Sequence, residues 1–219
     1  MLETDMNIQL YYAPITCALA PYITLTEAGA EFEVLPLNFR TKQHMSAKYV
    51  AINPKHKVPL LVVDGQKLTE NVAIQQWIAR TFPDANLLPA DPLDELQAVS
   101  LISWCSSGIH PYLRIINGPP KVCDIAGTEE NIRSHATEHV FECFGIAENL
   151  LNGKEYFFDR FTAPDTNFYW CFRRAGQFEL DLSQFPNCQA HFDRMETRPS
   201  VQKLLAYEKE VQAGFASAA

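Results

Sequence analysis

The stretch NIQLYYAPITCALAPYITLTEAG, Asn7–Gly29, decides how the chain begins. Asn7–Tyr12 reads as a strand and Ala13-Pro14 breaks it. From Cys17 to Ala28 small and apolar residues recur at helical spacing (Leu19, Ile23, Leu25, Ala28), and Gly29 supplies a C-terminal stop. Cys17 therefore falls at a predicted helix start, where free backbone N–H groups and the helix dipole favour a thiolate. The competing reading is a small buried residue that closes the helix against the sheet. A redox dithiol would place its second cysteine three positions away, but those positions hold Pro14 and Ala20. Any partner of Cys17 is thus a thiol from elsewhere.

Working outward, Glu31–Leu35 alternates as a second strand, and a polar loop leads to a short helix around Ser46–Ile52. Val58–Val63 reads as a third strand, and Asp64-Gly65 is a type I′ hairpin signal that returns Gln66–Leu68 antiparallel. Glu70–Phe82 is amphipathic, with Val72, Ala73, Ile74, Trp77 and Ile78 on the expected core face. The order β-α-β-α-β-β-α with a right-handed crossover is the thioredoxin-like arrangement of an α/β domain. Pro59 opens a strand, either as a plain strand start or as a cis proline that leaves Val58 free to pair with an extended peptide. At Thr69-Glu70-Asn71 a carboxylate for an ammonium group meets helix N–H groups that can hold a carboxylate; the bland alternative is an ordinary N-cap.

The chain has 219 residues, enough for two small domains: 1–84, a proline-rich linker 85–91, and 92–219, whose composition is all-α. In the second part Pro111 is expected to break or kink a helix that starts at Pro92. Thr128 is expected to cap a long helix with Ile132, Ala136, Val140, Cys143, Phe144, Ala147 and Leu151 on one face. Thr162 and Asp165 form a capping box before a buried helix, and Pro186 and Pro199 mark later starts, giving five or six helices. A net charge of −8 without a basic block argues against nucleic acid or an anionic membrane surface. No leader or membrane-length apolar run is found, so a cytoplasmic location is expected. The other five cysteines (105, 123, 143, 171 and 188) have no metal-like spacing and are expected to be buried. His135-Ala-Thr-Glu138-His139 matches an inverted zinc-protease pattern, but it lies mid-helix beside the core stripe and is read as a polar face, with no metal expected.

Together, Leu10–Gly29, Asn53–Ile78 and Leu87-Leu88-Pro89 resemble the glutathione transferase family, and Cys17 followed by a small residue and Leu-Ala-Pro is closest to the bacterial beta class. The resemblance implies a cytoplasmic homodimer with glutathione as co-substrate and a small electrophile as second substrate. It implies that Cys17 contacts the glutathione sulfur, Val58 before a cis Pro59 pairs with the tripeptide backbone, and Glu70 holds the γ-glutamyl amino group. It also places Lys42 near a glutathione carboxylate, Ser103 and Ser107 on a face turned to glutathione (including that of the partner subunit), and His110 in the second-substrate pocket. The family usually has Ser where this chain has Asn71; the backbone N–H is kept, so binding is expected to be retained but altered. A Phe158-Asp159 pair stands where Gly-Asp is usual before the capping box. Tyr12 and Thr16 are reserve hydroxyls for activating glutathione, or else a strand-end packing residue and a turn residue. Two rival functions remain: a glutathione-dependent disulfide or peroxide reductase with Cys17 as redox nucleophile, and a non-catalytic binding or regulatory protein on the same fold.

Overall fold

The computed structural model describes residues 6–217. The chain forms two compact units: the first runs to Leu87 and takes in the segment from Arg198 onward, and the second is Leu88–Thr197. The last helix, expected within the helical domain, groups with the first unit because it packs on that unit's first helix.

The first unit holds β1 (Ile8–Tyr12), α1 (Leu19–Glu27), β2 (Glu33–Pro36), α2 (Ala47–Ile52), β3 (Leu60–Val63), β4 (Gln66–Thr69) and α3 (Asn71–Thr81). The sheet runs β2-β1-β3-β4; β1 and β2 are parallel and the other neighbours antiparallel, which is the thioredoxin-like order expected. Alternation in β1 buries Ile8, Leu10 and Tyr12 on one face. Gly29, at φ +67, ends α1: its N–H bonds to Thr26 O and that of Ala30 to Leu25 O, a Schellman stop only a residue tolerant of positive φ makes cheaply. Asp64 and Gly65 both take positive φ, as the I′ turn requires. The core face of α3 differs from the expected one. Asn71, Ile74, Gln75 and Ile78 are buried, while Val72, Ala73 and Trp77 are half-buried, because two polar residues turn inward.

The last helix, here numbered α9 (Pro199–Ser217), is tied to α1 by charge and by rings. The Arg198 guanidinium donates to both Glu27 carboxylate oxygens (3.0 and 2.8 Å), and Ser200 donates to the same carboxylate. Tyr22 and Tyr207 stack with ring centroids 5.6 Å apart. Buried aromatic pairs of this kind contribute about 0.5–1.5 kcal/mol beyond the area they bury.

The second unit is helical: α4 (Pro92–Trp104), a π-turn at Cys105–Ile109, α5 (His110–Asn117), α6 (Glu129–Leu150), α7 (Ala163–Gly176) and α8 (Pro186–Glu196). Pro111 does not end the helix that begins at Pro92. It sits in the first turn of α5, where its missing N–H costs nothing, and the π-turn before it absorbs the change of hydrogen bonding. Thr128 does not cap α6 through its side chain. Its backbone is already helical (φ −95°, ψ −7°), and its hydroxyl donates to Ile125 O at 2.7 Å. Along α6 the expected stripe is buried from Ala136 to Leu151, and only Ile132 is half-buried. Cys105, Cys143, Cys171 and Cys188 are buried as expected, whereas Cys123 is half-buried in the loop before α6. Among the described residues no helix is long and apolar enough to cross a membrane.

Candidate functional site: a cysteine turn beside the start of α3

Residues 13–18 make a tight turn between β1 and α1. Thr16 N–H donates to Ala13 O at 3.3 Å, the Thr16 hydroxyl donates to the same oxygen at 2.6 Å, and Leu19 N–H donates to Thr16 O at 3.1 Å. Ile15 is held at φ 68°, a strained region for a β-branched residue. The restraint comes from a residue nearly two hundred positions away. Glu208 of α9 is only 4% exposed; its carboxylate accepts from Ile15 N–H at 2.7 Å and from the Tyr12 hydroxyl at 2.9 Å. Of the two reserve hydroxyls, Tyr12 is therefore committed to Glu208 inside the core, and Thr16 to its own turn.

Cys17 lies two residues ahead of the first residue of α1, whose N-cap, Ala18, offers no capping side chain. The residue is half-buried and its sulfur is 3.7 Å from Val58 O. Burial pushes the thiol up to about 12, and the Glu70 charge adds to this; its own backbone N–H and Lys57 pull the other way. Burial therefore favours the protonated thiol over the expected thiolate. Loss of solvation at the sulfur outweighs the backbone groups at the helix start.

The Val58–Pro59 peptide bond is cis, as the strand-opening proline suggested. The ladder begins only at Leu60, so Val58 stands outside it; its carbonyl faces the Cys17 thiol, and its N–H has no partner among the described residues. Lys57 O, one residue earlier, is fixed by the Tyr49 hydroxyl (2.5 Å) and Asn53 Nδ2 (2.9 Å). Glu70 precedes α3 at φ 72° and presents an exposed carboxylate. That carboxylate is not free: Lys55 Nζ sits 2.6 Å from Oε1 and 2.9 Å from Thr69 Oγ1. Asn71 is the first residue of α3, and its Nδ2 donates to Cys17 O at 3.2 Å. Lys42 is exposed and takes positive φ at the start of a short 3-10 turn. The first unit alone thus links Cys17 to Val58 through the Val58 carbonyl and to Asn71 through Asn71 Nδ2, with Glu70 the residue before Asn71.

The remaining candidates belong to the second unit. Ser103 and Ser107 are exposed on one face, the Ser107 hydroxyl donating to Ser103 O at 2.9 Å, and His110 is half-buried with its ring 4.3 Å from that of Trp170. The Thr162–Asp165 capping box is formed and buried. His135 leans on Glu138 (3.4 Å) and His139 stacks on Tyr112 with centroids 3.7 Å apart, which leaves the histidine pair engaged on the helix surface. No group of three or more potential ligands placed to hold a metal occurs among the described residues.

Comparison with known proteins agrees with this layout. Residues 6–80 match the glutathione S-transferase N-terminal domain, and residues 124–208 match a glutathione S-transferase C-terminal domain. Glutathione S-transferase GstA of Escherichia coli O157:H7 is 30% identical over 204 residues, 92% of this chain and 98% of that protein. The chain belongs to the glutathione S-transferase family. A probable maleylacetoacetate isomerase of Caenorhabditis elegans is also similar, at 31% identity over 78% of this chain and 79% of that one. Among solved structures, a sphingomonad glutathione S-transferase complexed with glutathione superposes with a TM-score of 0.81 at 28% identity, covering 92% of this chain and 98% of the other.

Two residues that hold the cysteine turn and the Glu70 carboxylate had no sequence signal. Glu208 sits in a polar helix and is picked out only by what it touches. Lys55 reads as one of several loop lysines until its contact with Glu70 is seen.

Proposed function

We propose that this chain is a glutathione transferase that binds glutathione in its first unit, with the tripeptide sulfur beside Cys17, and transfers it to a small electrophile. The observation that supports this most is the Cys17 sulfur, 3.7 Å from Val58 O and beside the cis Val58–Pro59 bond, with the Val58 N–H outside the ladder. An extended peptide laid along Val58 takes the backbone pairing that the sheet does not use. Glu70 receives the γ-glutamyl ammonium once Lys55 gives way, and the free N–H groups at the start of α3 receive the neighbouring carboxylate. Lys42 serves the other carboxylate. When the tripeptide pairs with Val58 O, the Cys17 S–H turns from that carbonyl, donates a hydrogen bond to the glutathione sulfur and favours its thiolate, so Cys17 acts as donor and not as nucleophile in this reading. Within the second unit, His110 meets the second substrate, and Ser103 and Ser107 share the exposed face one and two turns earlier. A homodimer and a cytoplasmic location come with the family resemblance.

A second reading has Cys17 attack a disulfide or peroxide. The isomerase relative gives a third, in which bound glutathione serves an isomerisation. Replacing Cys17 with Ala separates the first two. Conjugation reduced by roughly tenfold but retained, with disulfide reduction absent in both proteins, fits the donor role. Disulfide reduction present in the wild type and lost in the variant supports the redox role. A thermal shift insensitive to millimolar glutathione would instead favour a binding protein that has lost the chemistry.

A further inference from the structure

We infer that Asn71 is a positioning residue for Cys17, holding the thiol turn through its side chain in addition to whatever its backbone N–H binds. Asn71 is 8% exposed, and its Nδ2 donates to Cys17 O at 3.2 Å, a carbonyl that also accepts from Ala20 N–H at 3.3 Å. The opposite atom of the amide, Oδ1, is buried and has no partner among the described residues. Turning the amide over would set Oδ1 against the Cys17 carbonyl, two acceptors face to face, so the contact with Cys17 fixes the orientation and leaves the orphan in place. A buried acceptor without a donor costs more than one ordinary hydrogen bond returns. Asn71 is therefore poorly suited to stabilising the fold, and its side chain is explained by where it holds the turn.

The turn is pinned at three points. Glu208 takes the Ile15 N–H ahead of the cysteine, Asn71 takes the Cys17 carbonyl, and the sulfur itself rests against Val58 O. Only the second pin comes from the helix whose first turn lies in the proposed glutathione site. It links the sulfur mechanically to the place where the γ-glutamyl end would dock. A serine at 71, which the family usually carries, is one bond shorter and leaves the Cys17 carbonyl without this donor. Cutting the pin lets the turn relax from Val58, exposes the sulfur to water, and moves the thiol back towards an ordinary cysteine.

The test is alkylation of Cys17 by iodoacetamide from pH 7 to 11, read on the Cys17 peptide by mass spectrometry, in the wild type, Asn71→Ser and Asn71→Ala, with melting curves and retention on immobilised glutathione alongside. The expected result is Cys17 alkylation at pH 8 faster by about fivefold or more in both variants, a lower pH midpoint, and melting temperatures unchanged to within about 2 °C or raised. A pH profile superimposable on the wild type overturns the inference. So does faster alkylation of all the cysteines together with a lower melting temperature, because that reports general loosening. The inference rests on the glutathione reading only in treating Cys17 as the sulfur that matters. Wild-type protein that fails to bind immobilised glutathione, while Asn71→Ser still accelerates Cys17, would remove that reading and leave the inference standing.

Discussion

The starts of α1 and α7 solve the same problem in opposite ways. At α7 the helix closes its own first turn: Asp165 Oδ2 accepts from Thr162 N–H (2.8 Å) and the Thr162 hydroxyl (3.0 Å), while Oδ1 accepts from Phe157 N–H (3.2 Å) and lies 3.0 Å from His191 Nε2. All four residues are buried, Phe157 at 6% exposure and the other three at 1% or less. At α1 no side chain caps the helix, and the turn before it is held from outside by Glu208 and Asn71. A start closed by its own residues is a folding element. A start held from a distance leaves its end open, and what lies at that open end is the sulfur of Cys17.

The largest expected effect lies at the closed start. Asp165→Ala leaves four buried donors without their acceptor and should lower stability by about 3–5 kcal/mol, read by urea unfolding. A loss below about 1 kcal/mol would mean that α7 does not depend on its own cap. At the open start, Glu208→Ala removes the acceptor shared by the Ile15 N–H and the Tyr12 hydroxyl, for a loss of about 2–4 kcal/mol, and Cys17 should alkylate faster than in the wild type. If stability falls while Cys17 reactivity stays the same, Glu208 supports the fold without shaping the turn.

In the folded protein Cys17 is raised from 9.0 to about 12, so its neutral form is favoured by folding. That contribution is complete below pH 9 and is lost as pH rises towards 12, because the unfolded chain sheds its proton first. The stability difference between wild type and Cys17→Ala should therefore fall over that window and be flat below it. A flat difference through pH 11 would show that the sulfur is solvated. The smallest effect is at the exposed Lys55–Glu70 pair. Lys55→Gln frees the carboxylate and should tighten glutathione binding by about two- to fivefold, measured by calorimetry. Weaker binding would show that Lys55 takes part in holding the tripeptide.

What was legible in the sequence was what local chemistry dictates. Asp64-Gly65 signalled a I′ turn, Gly29 a helix stop, and Thr162 with Asp165 a cap, while Pro59 left a plain strand start and a cis bond open; a few adjacent atoms decide each. Cys17 and Glu70 were legible as candidates for the same reason. Their state was not. Whether the helix start or desolvation governs the Cys17 proton depends on how the turn packs, and Glu208, which holds that turn, lies 193 positions from Ile15. The π-turn at Cys105–Ile109 was equally hidden, since a proline in sequence says that a hydrogen bond is missing but not how the helix absorbs the loss. Asn71 looked like a replacement cap, and only packing shows its amide turned to Cys17.

The most direct measurement is a crystal structure of this protein soaked with glutathione. The account predicts the tripeptide backbone paired with Val58, its γ-glutamyl end on Glu70 and the first turn of α3 with Lys55 displaced, and its sulfur within about 4 Å of the Cys17 sulfur. Glutathione seated elsewhere, or seated here with its sulfur pointing away from Cys17, would contradict it.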